Sequence, residues 1–430
     1  MKEQIINQLR DKTILILGFG REGRSSLEFI YNNIPHAVVA IADQNPINDD
    51  VVKNTTVISG ENYLSACEDY DIILKAPGVI IKDGLSDETK AKITSQTDLF
   101  MQAYHQQIIG ITGTKGKSTT SSLIHHVLSN SGFDSKLVGN IGKPCFNIID
   151  EITPQTVIVF ELSAHQLEYI KASPYIAVLL NIFEEHFDHY LTPDDYYNAK
   201  KNIFKYQTQN DILIYGDIFQ HCSKEEIENA NATKINILEN QFVAPEKIKT
   251  QLIGAHNIQN IQVAAAIAKI FNINEEVFLK AVESFQPLPH RLEYVGTYRD
   301  IKFYNDSIAT ANEAVINAIK TLGDVDTIVL GGMDRGLDYH PLVNVIRNSA
   351  IRNVILLPDT IKRFQDTFAE EHYSQGLFPV KNMREAVEKA YELTAKSRSC
   401  LLSPAAASYN TYKNFEERGE DYKKLIAMLQ

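Results

Sequence analysis

A stretch beginning at residue 108 constrains this chain most strongly, because it has the pattern of a strand, a glycine-rich loop and a helix start. The apolar run 108–112 leads to Gly113 and Gly116. Lys117-Ser118-Thr119 follows directly. In such an arrangement, loop amides and a helix N-terminus point at an anion, and the lysine adds a positive charge. The stretch therefore predicts the phosphate-binding loop of a nucleoside-triphosphate site.

The loop departs from the usual pattern at one position. A P-loop has a glycine five residues before the glycine of its Gly-Lys-Ser/Thr ending, but Ile111 stands there in this chain. Gly110 and Gly113 lie on either side of it. We expect a variant loop in which Lys117 approaches phosphate and a hydroxyl of the following residues approaches Mg²⁺.

The length and composition are those of a globular protein with several domains. At 430 residues, with 44% hydrophobic and 22% charged residues, the chain is longer than one ordinary core requires. No run approaches the ~18 apolar residues of a membrane span. The N-terminus Met1-Lys2-Glu3-Gln4 has no signal-peptide core. We expect a cytoplasmic protein that does not use a membrane.

Charge and cysteine content argue against two further classes. The formal net charge is −12, whereas a general nucleic-acid binder usually carries a basic face. Cys67, Cys145, Cys222 and Cys400 lie far apart and lack the C-x-x-C spacing of a zinc site. An anionic ligand must therefore be held by local cations and backbone amides, not by the overall field.

The N-terminal region has the pattern of a dinucleotide-binding βαβ unit. The apolar run 13–17 leads into Gly18-Phe19-Gly20-Arg21-Glu22-Gly23, and a helical pattern covers 25–31. A second apolar run, 37–42, ends at Asp43, twenty residues after Gly23, where such units hold a ribose hydroxyl. Taken alone, the pattern predicts NAD, although the same glycines suit any nucleotide diphosphate.

This first region continues to a turn at the edge of the predicted sheet. A strand over 71–75 ends at Ala76-Pro77-Gly78. The polar stretch 90–97 is interpreted as the end of the domain.

The central region contains strands that end in polar groups. The run 156–160 leads to Glu161, where a P-loop fold places a carboxylate linked to Mg²⁺. The run 176–180 leads into 181–189, which contains His186 and His189. A zinc site would need more soft or imidazole ligands nearby, so a second Mg²⁺ ligand is the better interpretation.

Two later segments of this region have ordinary structural interpretations when taken alone. Lys200 and Lys201 would be read as the solvated face of a helix. Residues 254–260 open a helical stretch over 261–271, which has the pattern of a capped packing helix. Asn257 and Asn260 at its entrance could reach the edge of a base.

A third α/β region follows the linker Pro287-Leu288-Pro289-His290-Arg291. Strands are predicted over 301–304, 327–330, 354–357 and 400–402, with a helix over 310–322. Polar or small residues follow three of these strands, at Asn305-Asp306-Ser307, 331–335 and 403–408. Open α/β sheets bind ligands at this edge.

The predicted fold is therefore α/β with three domains. They are a Rossmann-like domain over 1–94, a P-loop ATPase domain over 95–287 and a Rossmann-like α/β domain over 288–430.

Taken together, the motifs resemble those of the Mur ligase family, the ATP-dependent amino-acid-adding enzymes of peptidoglycan synthesis. The resemblance covers essentially the whole chain. It rests on 113–119, 139–142, 161–163, the His186 segment, His256-Asn257, 288–291 and 305–307. The stretches 402–408 and 413–419 are typical of the glutamate-adding branch.

The resemblance implies that ATP phosphorylates a carboxylate of UDP-N-acetylmuramoyl-L-alanine, and that the amine of glutamate then attacks the acyl phosphate. It assigns ATP binding to Gly113, Thr114, Lys115, Gly116, Lys117, Ser118, Thr119, Asn257, Asn260, Arg291 and Asp306. It assigns Mg²⁺ to Ser118, Glu161 and His186, and catalytic roles to Lys117, Lys200, His186 and Glu161. Lys200 aligns with a family lysine that becomes carbamylated, so the resemblance replaces its interpretation as a solvated side chain.

The resemblance also implies where the two small-molecule substrates bind. UDP takes the place of NAD, with contacts from Gly18, Phe19, Gly20, Arg21, Asp43, Gly78 and Asn140. Glutamate is assigned to Thr310, Arg335, Ser408 and Phe415. A monomer without nucleic-acid partners is expected.

Two positions depart from the pattern of the glutamate-adding branch. Ile308 stands where these enzymes commonly have a lysine, and Arg335 stands where a lysine often follows the Gly-Gly turn. Arg335 can still pair bidentately with a carboxylate. The stereochemistry of the glutamate is less secure, so addition of L-glutamate stays open. An NAD-dependent oxidoreductase with an accessory nucleotide domain and a non-enzymatic nucleotide switch are the further alternatives.

Overall fold

The computed structural model describes residues 1–47, 52, 55–81, 85–183, 190, 192–218, 220–372 and 376–429. Across them the chain forms three sheets, two of five and six parallel strands and one mixed sheet of six. Two compact units are present: Met1–Thr250 with Ala255–Phe285, and Gln251–Gly254 with Gln286–Gln430. The predicted α/β class with three sheets is confirmed. The predicted division after residue 94 falls inside the first unit and stays a prediction.

The first sheet has the strand order β3-β2-β1-β4-β5. Its elements are α1 (Lys2–Leu9), β1 (Thr13–Leu17), α2 (Arg21–Asn33), β2 (Val38–Asp43), β3 (Thr56–Ser59), β4 (Ile72–Lys75), α3 (Asp87–Ala91), β5 (Ile93–Thr94) and α4 (Gln96–Tyr104). Short 3₁₀ helices cover Tyr63–Asp69 and His105–Gln107. The strand order reverses between β1 and β4, so the loops that follow these strands lie side by side, where open α/β sheets bind ligands.

The polar stretch 90–97 is more structured than the predicted domain end. It contains the edge strand β5 and the start of α4, where the Ser95 hydroxyl accepts a hydrogen bond from the Asp98 amide at 3.0 Å. Asp98 is fully buried and accepts from the Thr94 hydroxyl at 2.8 Å. Because these polar groups satisfy one another, the segment can lie inside the unit.

The second sheet has the order β11-β10-β9-β6-β8-β7. Its elements are β6 (Ile108–Thr112), α5 (Lys117–Asn130), β7 (Ser135–Gly139), β8 (Val157–Glu161), α6 (Ala164–Leu167), β9 (Ile176–Asn181), α7 (Pro193–Lys205), β10 (Ile212–Asp217), α8 (Lys224–Asn229), β11 (Thr233–Asn236), α9 (Ala255–Ile270) and α10 (Glu275–Ser284). Two further 3₁₀ helices cover Cys145–Glu151 and Pro245–Lys247. Every residue of β6 is buried, as expected for a central parallel strand with both faces covered.

Helix α9 begins earlier than the sequence predicts. The expected helix covers 261–271, whereas the observed one starts at Ala255. Asn257 and Asn260 therefore lie inside its first turns, and both are buried. Alanine and isoleucine on all sides make the helix apolar all round, which is typical of a buried helix.

The third sheet has the order β12-β13-β17-β14-β15-β16, with β12 antiparallel to β13 and the other pairs parallel. Its elements are β12 (Glu293–Tyr298), β13 (Ile301–Asn305), α11 (Asn312–Leu322), β14 (Val325–Leu330), α12 (His340–Arg347), β15 (Asn353–Leu356), α13 (Ile361–Glu370), β16 (Gly376–Pro379), α14 (Met383–Leu393), β17 (Ser399–Leu402) and α15 (Phe415–Leu429). Since β17 lies between β13 and β14, the polar loops after these three strands meet at one edge. In the described part of the chain, no helix is long and apolar enough to cross a bilayer.

Candidate active site

The predicted phosphate loop joins the central strand β6 to helix α5. Gly113 has φ +155° and Gly116 has φ +88°, which glycine adopts readily. A Cβ atom at Gly116 would lie 2.8 Å from Oδ1 of Asn260. The Lys117 ammonium donates to the carbonyls of Gly113 and Thr114 at 2.8 and 2.9 Å, so it lies over the loop. Ile111, at the place of the expected glycine, is a buried residue of β6, so the turn starts only at Gly113.

Asn181 at the end of β9 fixes this loop from one side. Its carbonyl accepts from the Thr114 amide at 3.0 Å. Its side chain accepts from the Lys115 amide at 2.8 Å and donates to the Lys115 carbonyl at 3.0 Å. No role was predicted for Asn181 from the sequence. The sequence signal that could have identified it is its position at the end of β9, the strand beside β6.

Glu161 ends the strand on the other side of β6. It is fully buried, and Ile111 of β6 pairs with it in register. Oε1 accepts from the Asn140 amide group at 2.7 Å, whereas Oε2 has no hydrogen-bond partner among the residues that the structure describes. Buried carboxylate oxygens are normally satisfied, so an unsatisfied one beside a phosphate loop fits a hard cation that prefers oxygen ligands, such as Mg²⁺. Asn140, predicted to bind the UDP substrate, is engaged with this carboxylate.

Lys200 projects from α7 to the same loop. Its side chain is buried, and Nζ donates to the Gly113 carbonyl at 2.8 Å. The ammonium also lies 4.7 Å from the centre of the Tyr196 ring. The solvated-face interpretation is therefore wrong for Lys200, whereas its neighbour Lys201 forms an ion pair with Glu226 at 2.8 Å.

Of the other residues predicted to bind ATP or metal in the first unit, Asn257 and Asn260 lie near the phosphate loop. Asn260 lies against Gly116 and donates to the Asn257 side chain at 2.8 Å, so the pair reaches the phosphate loop. His186 lies outside the described residues. Among the residues that are described, no cluster of three or more metal-ligating side chains occurs.

The predicted UDP loop follows β1. Gly18 has φ +91°, and the Phe19 amide donates to Oδ2 of Asp43 at 2.8 Å. Asp43, predicted to hold a ribose, therefore also fixes the loop. A Cβ at Gly23 would lie 2.3 Å from the Gly18 carbonyl oxygen, so the start of α2 packs directly on the loop. The Arg21 guanidinium donates to the Gly139 carbonyl at 2.7 Å, which brings the loop to the end of β7.

A buried charged group lies next to this loop and was not assigned by the sequence analysis. Lys75, just before the turn that carries Gly78, pairs with Glu168 at 3.1 Å. Glu22 of α2 accepts from Gln166 at 2.7 Å. Burial raises the pKa of Glu22 and lowers the pKa of Lys75. These residues lie far apart in the sequence. The available signal was Lys75, a lysine at the end of an apolar strand.

In the second unit, Asp306 follows β13 and is buried. It accepts from the Ser403 hydroxyl at 2.8 Å and from the Leu292 amide at 3.0 Å. Burial raises the pKa of Asp306 to about 7, while these hydrogen bonds and the charge of Arg291 act in the opposite direction. The two residues predicted to approach ATP from this unit, Arg291 and Asp306, are thus near each other.

Arg418 connects the loops at this edge, and the sequence analysis gave it no role. It is buried, and its guanidinium donates to the Ser307 hydroxyl and carbonyl at 3.0 and 2.8 Å. It also donates to the Ala406 and Ala407 carbonyls at 3.1 and 3.2 Å. Burial lowers the pKa of Arg418 to about 10, so the side chain still carries its charge at neutral pH.

The four residues predicted to bind the substrate glutamate lie on segments that hydrogen bonds connect. The Ser307 hydroxyl donates to the Phe415 carbonyl at 2.8 Å. The amide of Ala405 donates to the Ala309 carbonyl at 3.0 Å, and that of Met333 to the Ala407 carbonyl at 2.9 Å. These bonds connect the loops that carry Thr310, Arg335 and Ser408 with one another and with Phe415 at the start of α15. Ser408 is buried, whereas Arg335 is exposed.

Comparison with known proteins gives consistent family matches. Residues 111–268 match the model of the Mur ligase middle domain. The UDP-N-acetylmuramoylalanine–D-glutamate ligase of Oenococcus oeni is 32% identical over 442 residues, which cover 97% of each chain. The ligase of the same name from Clostridium acetobutylicum is 28% identical over 462 residues, which cover 99% of each chain.

Solved structures with the same fold include other ligases. MurF from Acinetobacter baumannii aligns with a TM-score of 0.61 at 15% identity, over 97% of this chain and 92% of that one. UDP-N-acetylmuramate-alanine ligase MurC from Thermotoga maritima aligns with a TM-score of 0.59 at 14% identity, over 97% of this chain and all of that one. At these identities the likeness shows the fold.

Proposed function

The chain belongs to the Mur ligase family, and on that premise we propose that it is an ATP-dependent, ADP-forming ligase that adds D-glutamate to UDP-N-acetylmuramoyl-L-alanine. The observation that carries this proposal is the match, over nearly the whole chain, to relatives named for D-glutamate addition. The glycine loop with Lys117, between Asn181 and Glu161, supports a nucleotide site of the kind that such a reaction requires.

The reaction proceeds in two steps on the substrate carboxylate. A carboxylate oxygen attacks the γ-phosphorus of ATP, so that an acyl phosphate forms and ADP leaves. The amine of D-glutamate then attacks the acyl carbon, loses a proton, and inorganic phosphate departs as the amide forms. The first step brings anions together, and this is unfavourable unless cations lie beside them. Lys117 provides one such cation over the loop carbonyls.

Mg²⁺ fits the oxygen groups beside the loop. Glu161, with its buried and unsatisfied Oε2, and the hydroxyl of Ser118 would hold it. His186 stays a proposed ligand of a second ion. Bound there, Mg²⁺ would neutralise part of the negative charge that the reaction brings together. The role of Asn140 is then to orient Glu161 through its 2.7 Å hydrogen bond.

Lys200 is proposed to act as a carbamylated lysine. The modification requires the neutral amine and converts a cation into an anion. The hydrogen bond of Lys200 to the Gly113 carbonyl supports a modified group beside the phosphate loop. A carbamate there would orient a metal ion or the loop, as a short carboxylate does.

The two other substrates are proposed to bind at the loop edges of the outer sheets. UDP lies on Gly18, Phe19, Gly20, Arg21, Asp43, Gly78 and, near them, Asn140. D-glutamate lies among Thr310, Arg335, Ser408 and Phe415, with Arg335 on a carboxylate. ATP contacts from Arg291 and Asp306, and base contacts from Asn257 and Asn260, complete the assignment. A monomer in the cytoplasm is proposed as the working form.

The alternatives from the sequence differ in support. The relatives described above are named for D-glutamate, which favours this isomer over L-glutamate in spite of Ile308. The N-terminal glycine loop recognises a diphosphate, so UDP explains it without an oxidoreductase.

The test is ATP-dependent phosphate release with UDP-N-acetylmuramoyl-L-alanine, comparing D-glutamate with L-glutamate. We expect release with D-glutamate, and loss of it in Lys117→Ala, because the γ-phosphate loses its loop cation. Release with L-glutamate in preference would contradict the assigned isomer. No phosphate release with either isomer would contradict the proposed ligase activity.

A further inference from the structure

The loop between β14 and α12, residues 331–339, contains an acid directly before the proposed glutamate-binding arginine. Asp334 precedes Arg335 in this loop. The Arg335 side chain is exposed and has no ion pair or hydrogen bond with any described residue. A free carboxylate next to it would compete with the substrate for its guanidinium.

Arg363 of α13 neutralises that acid. Its guanidinium donates to Oδ1 of Asp334, and the same oxygen accepts from the Gly336 amide at 2.9 Å. The two side chains of this pair are 36% and 35% exposed, so water screens their attraction only in part. Together these contacts hold the pKa of Asp334 below its usual value, the Gly336 amide foremost, so the acid is ionised and paired at neutral pH.

The same arginine also anchors the rest of the loop. It donates to the Leu337 carbonyl, and its guanidinium carbon lies 5.2 Å from the centre of the Tyr339 ring. The Tyr339 ring stacks on Phe364 at a centroid distance of 4.0 Å. The loop carrying Arg335 is therefore attached to α13 by polar and aromatic contacts.

We infer that Arg363 is a positioning residue for glutamate. It forms an ion pair with Asp334 and holds the 331–339 loop, so that Arg335 is left to pair with a substrate carboxylate. This inference rests on the proposed function, because it takes Arg335 as the carboxylate contact. Without Arg363, Asp334 turns to its neighbour and adds a negative charge where an anionic amino acid must enter. The predicted defect is selective for glutamate, since nothing in this contact set involves the nucleotide loop.

The experiment measures steady-state kinetics of Arg363→Met, with Lys362→Met as the matched control. Lys362 is the adjacent, exposed cation of the same helix, so its variant removes the same charge without touching Asp334. We expect Arg363→Met to raise KM for D-glutamate by about tenfold, with kcat and KM for ATP changed by less than about twofold. Lys362→Met should keep all three constants. An unchanged KM for D-glutamate in Arg363→Met would overturn the inference.

The double variant Arg363→Met/Asp334→Asn separates charge from anchoring. If the uncompensated acid causes the defect, removing its charge should return KM for D-glutamate to within about threefold of the unmodified protein. A double variant as impaired as Arg363→Met would overturn the electrostatic role. Thermal melting of each variant checks that the fold is intact.

Two further measurements keep failure of the inference distinct from failure of the proposed function. If the unmodified chain shows no glutamate-dependent ADP formation, the ligase assignment fails. If Arg335→Ala leaves KM for D-glutamate unchanged while the ligase is active, the carboxylate contact lies elsewhere and the inference about Arg363 is overturned. A tenfold or larger rise in Arg335→Ala, about 1.4 kcal/mol, supports the premise.

Discussion

At the scale of single residues, Lys200 shows how context decides the role of a charged side chain. The local pattern is that of a solvated helix face, yet the structure buries the side chain and directs Nζ to the Gly113 carbonyl. Lysine is rarely fully buried without a partner, so a buried lysine at a phosphate loop is a functional candidate.

We expect Lys200→Ala to be largely inactive and to be partly restored by a small carboxylic acid. The reason is that the acid would occupy the place of the proposed carbamate. Phosphate release with and without added acid is the measurement. Lys201→Ala, which removes the neighbouring lysine on α7, is the control and should stay active. Full activity of Lys200→Ala would contradict the proposal that Lys200 is a carbamylated catalytic lysine.

The sequence identified some residues of the site and overlooked others for a physical reason. Lys117 was assigned because it closes a glycine-rich loop after an apolar run, and Glu161 because it stands directly at the end of such a run. Asn181 and Arg418 received no role, although their hydrogen bonds hold loops that are distant in the chain. A side chain that acts on another segment has no local signature, because its partner is chosen by folding.

At the scale of elements, the glycine pattern after β1 could be predicted from the sequence, and the structure explains two of its three glycines. Gly18 supplies a positive φ, and Gly23 allows α2 to pack on the loop without a Cβ. Those strands that the sequence predicted end within two residues of the observed ones, because buried parallel strands are continuous apolar runs.

We expect Gly23→Ala to destabilise the first unit and to weaken binding of the UDP substrate. The new methyl group would overlap the Gly18 carbonyl, so the N-terminus of α2 must move, at a cost of about 1–3 kcal/mol. The measurements are the melting temperature and KM for UDP-N-acetylmuramoyl-L-alanine. A Cβ at Gly20 meets nothing within 4 Å, so Gly20→Ala should keep the melting temperature. Equal melting temperatures for both variants would contradict this packing explanation.

Two of the elements that the sequence did not predict correctly show why. The early start of α9 was missed because its first turns are polar, although the Asn260 side chain donates a hydrogen bond to the Asn257 side chain inside the unit. The short edge strand β5 was hidden in a polar stretch, since two residues cannot show a period. In both cases burial of polar groups depended on partners that local patterns do not reveal.

At the scale of the whole molecule, the phosphate loop belongs entirely to the first compact unit. A ligand that binds only the folded state stabilises it by about 2.7 kcal/mol at a hundred times its dissociation constant. Scanning calorimetry of the full chain should therefore show that ADP raises the transition of the first unit by several degrees.

The same measurement on Lys117→Ala should show no such rise, because the loop loses its cation. Lys280→Ala, which removes an exposed lysine paired with Glu276 on α10, is the matched control and should respond as the unmodified protein does. A rise in Lys117→Ala equal to that of the control would contradict the assigned nucleotide loop.

The sequence by itself determined the α/β class, the three groups of strands and the ligand-binding edge of each sheet. These follow from local physics: apolar runs must be buried, glycines permit tight turns, and polar residues collect where parallel strands end. Only the tertiary structure decided that Lys200 is buried, that Arg418 of α15 joins two loops and that Arg363 forms an ion pair with Asp334. Such pairings depend on which distant segments the sheets bring together, and on the burial that makes a charge or an unsatisfied oxygen significant.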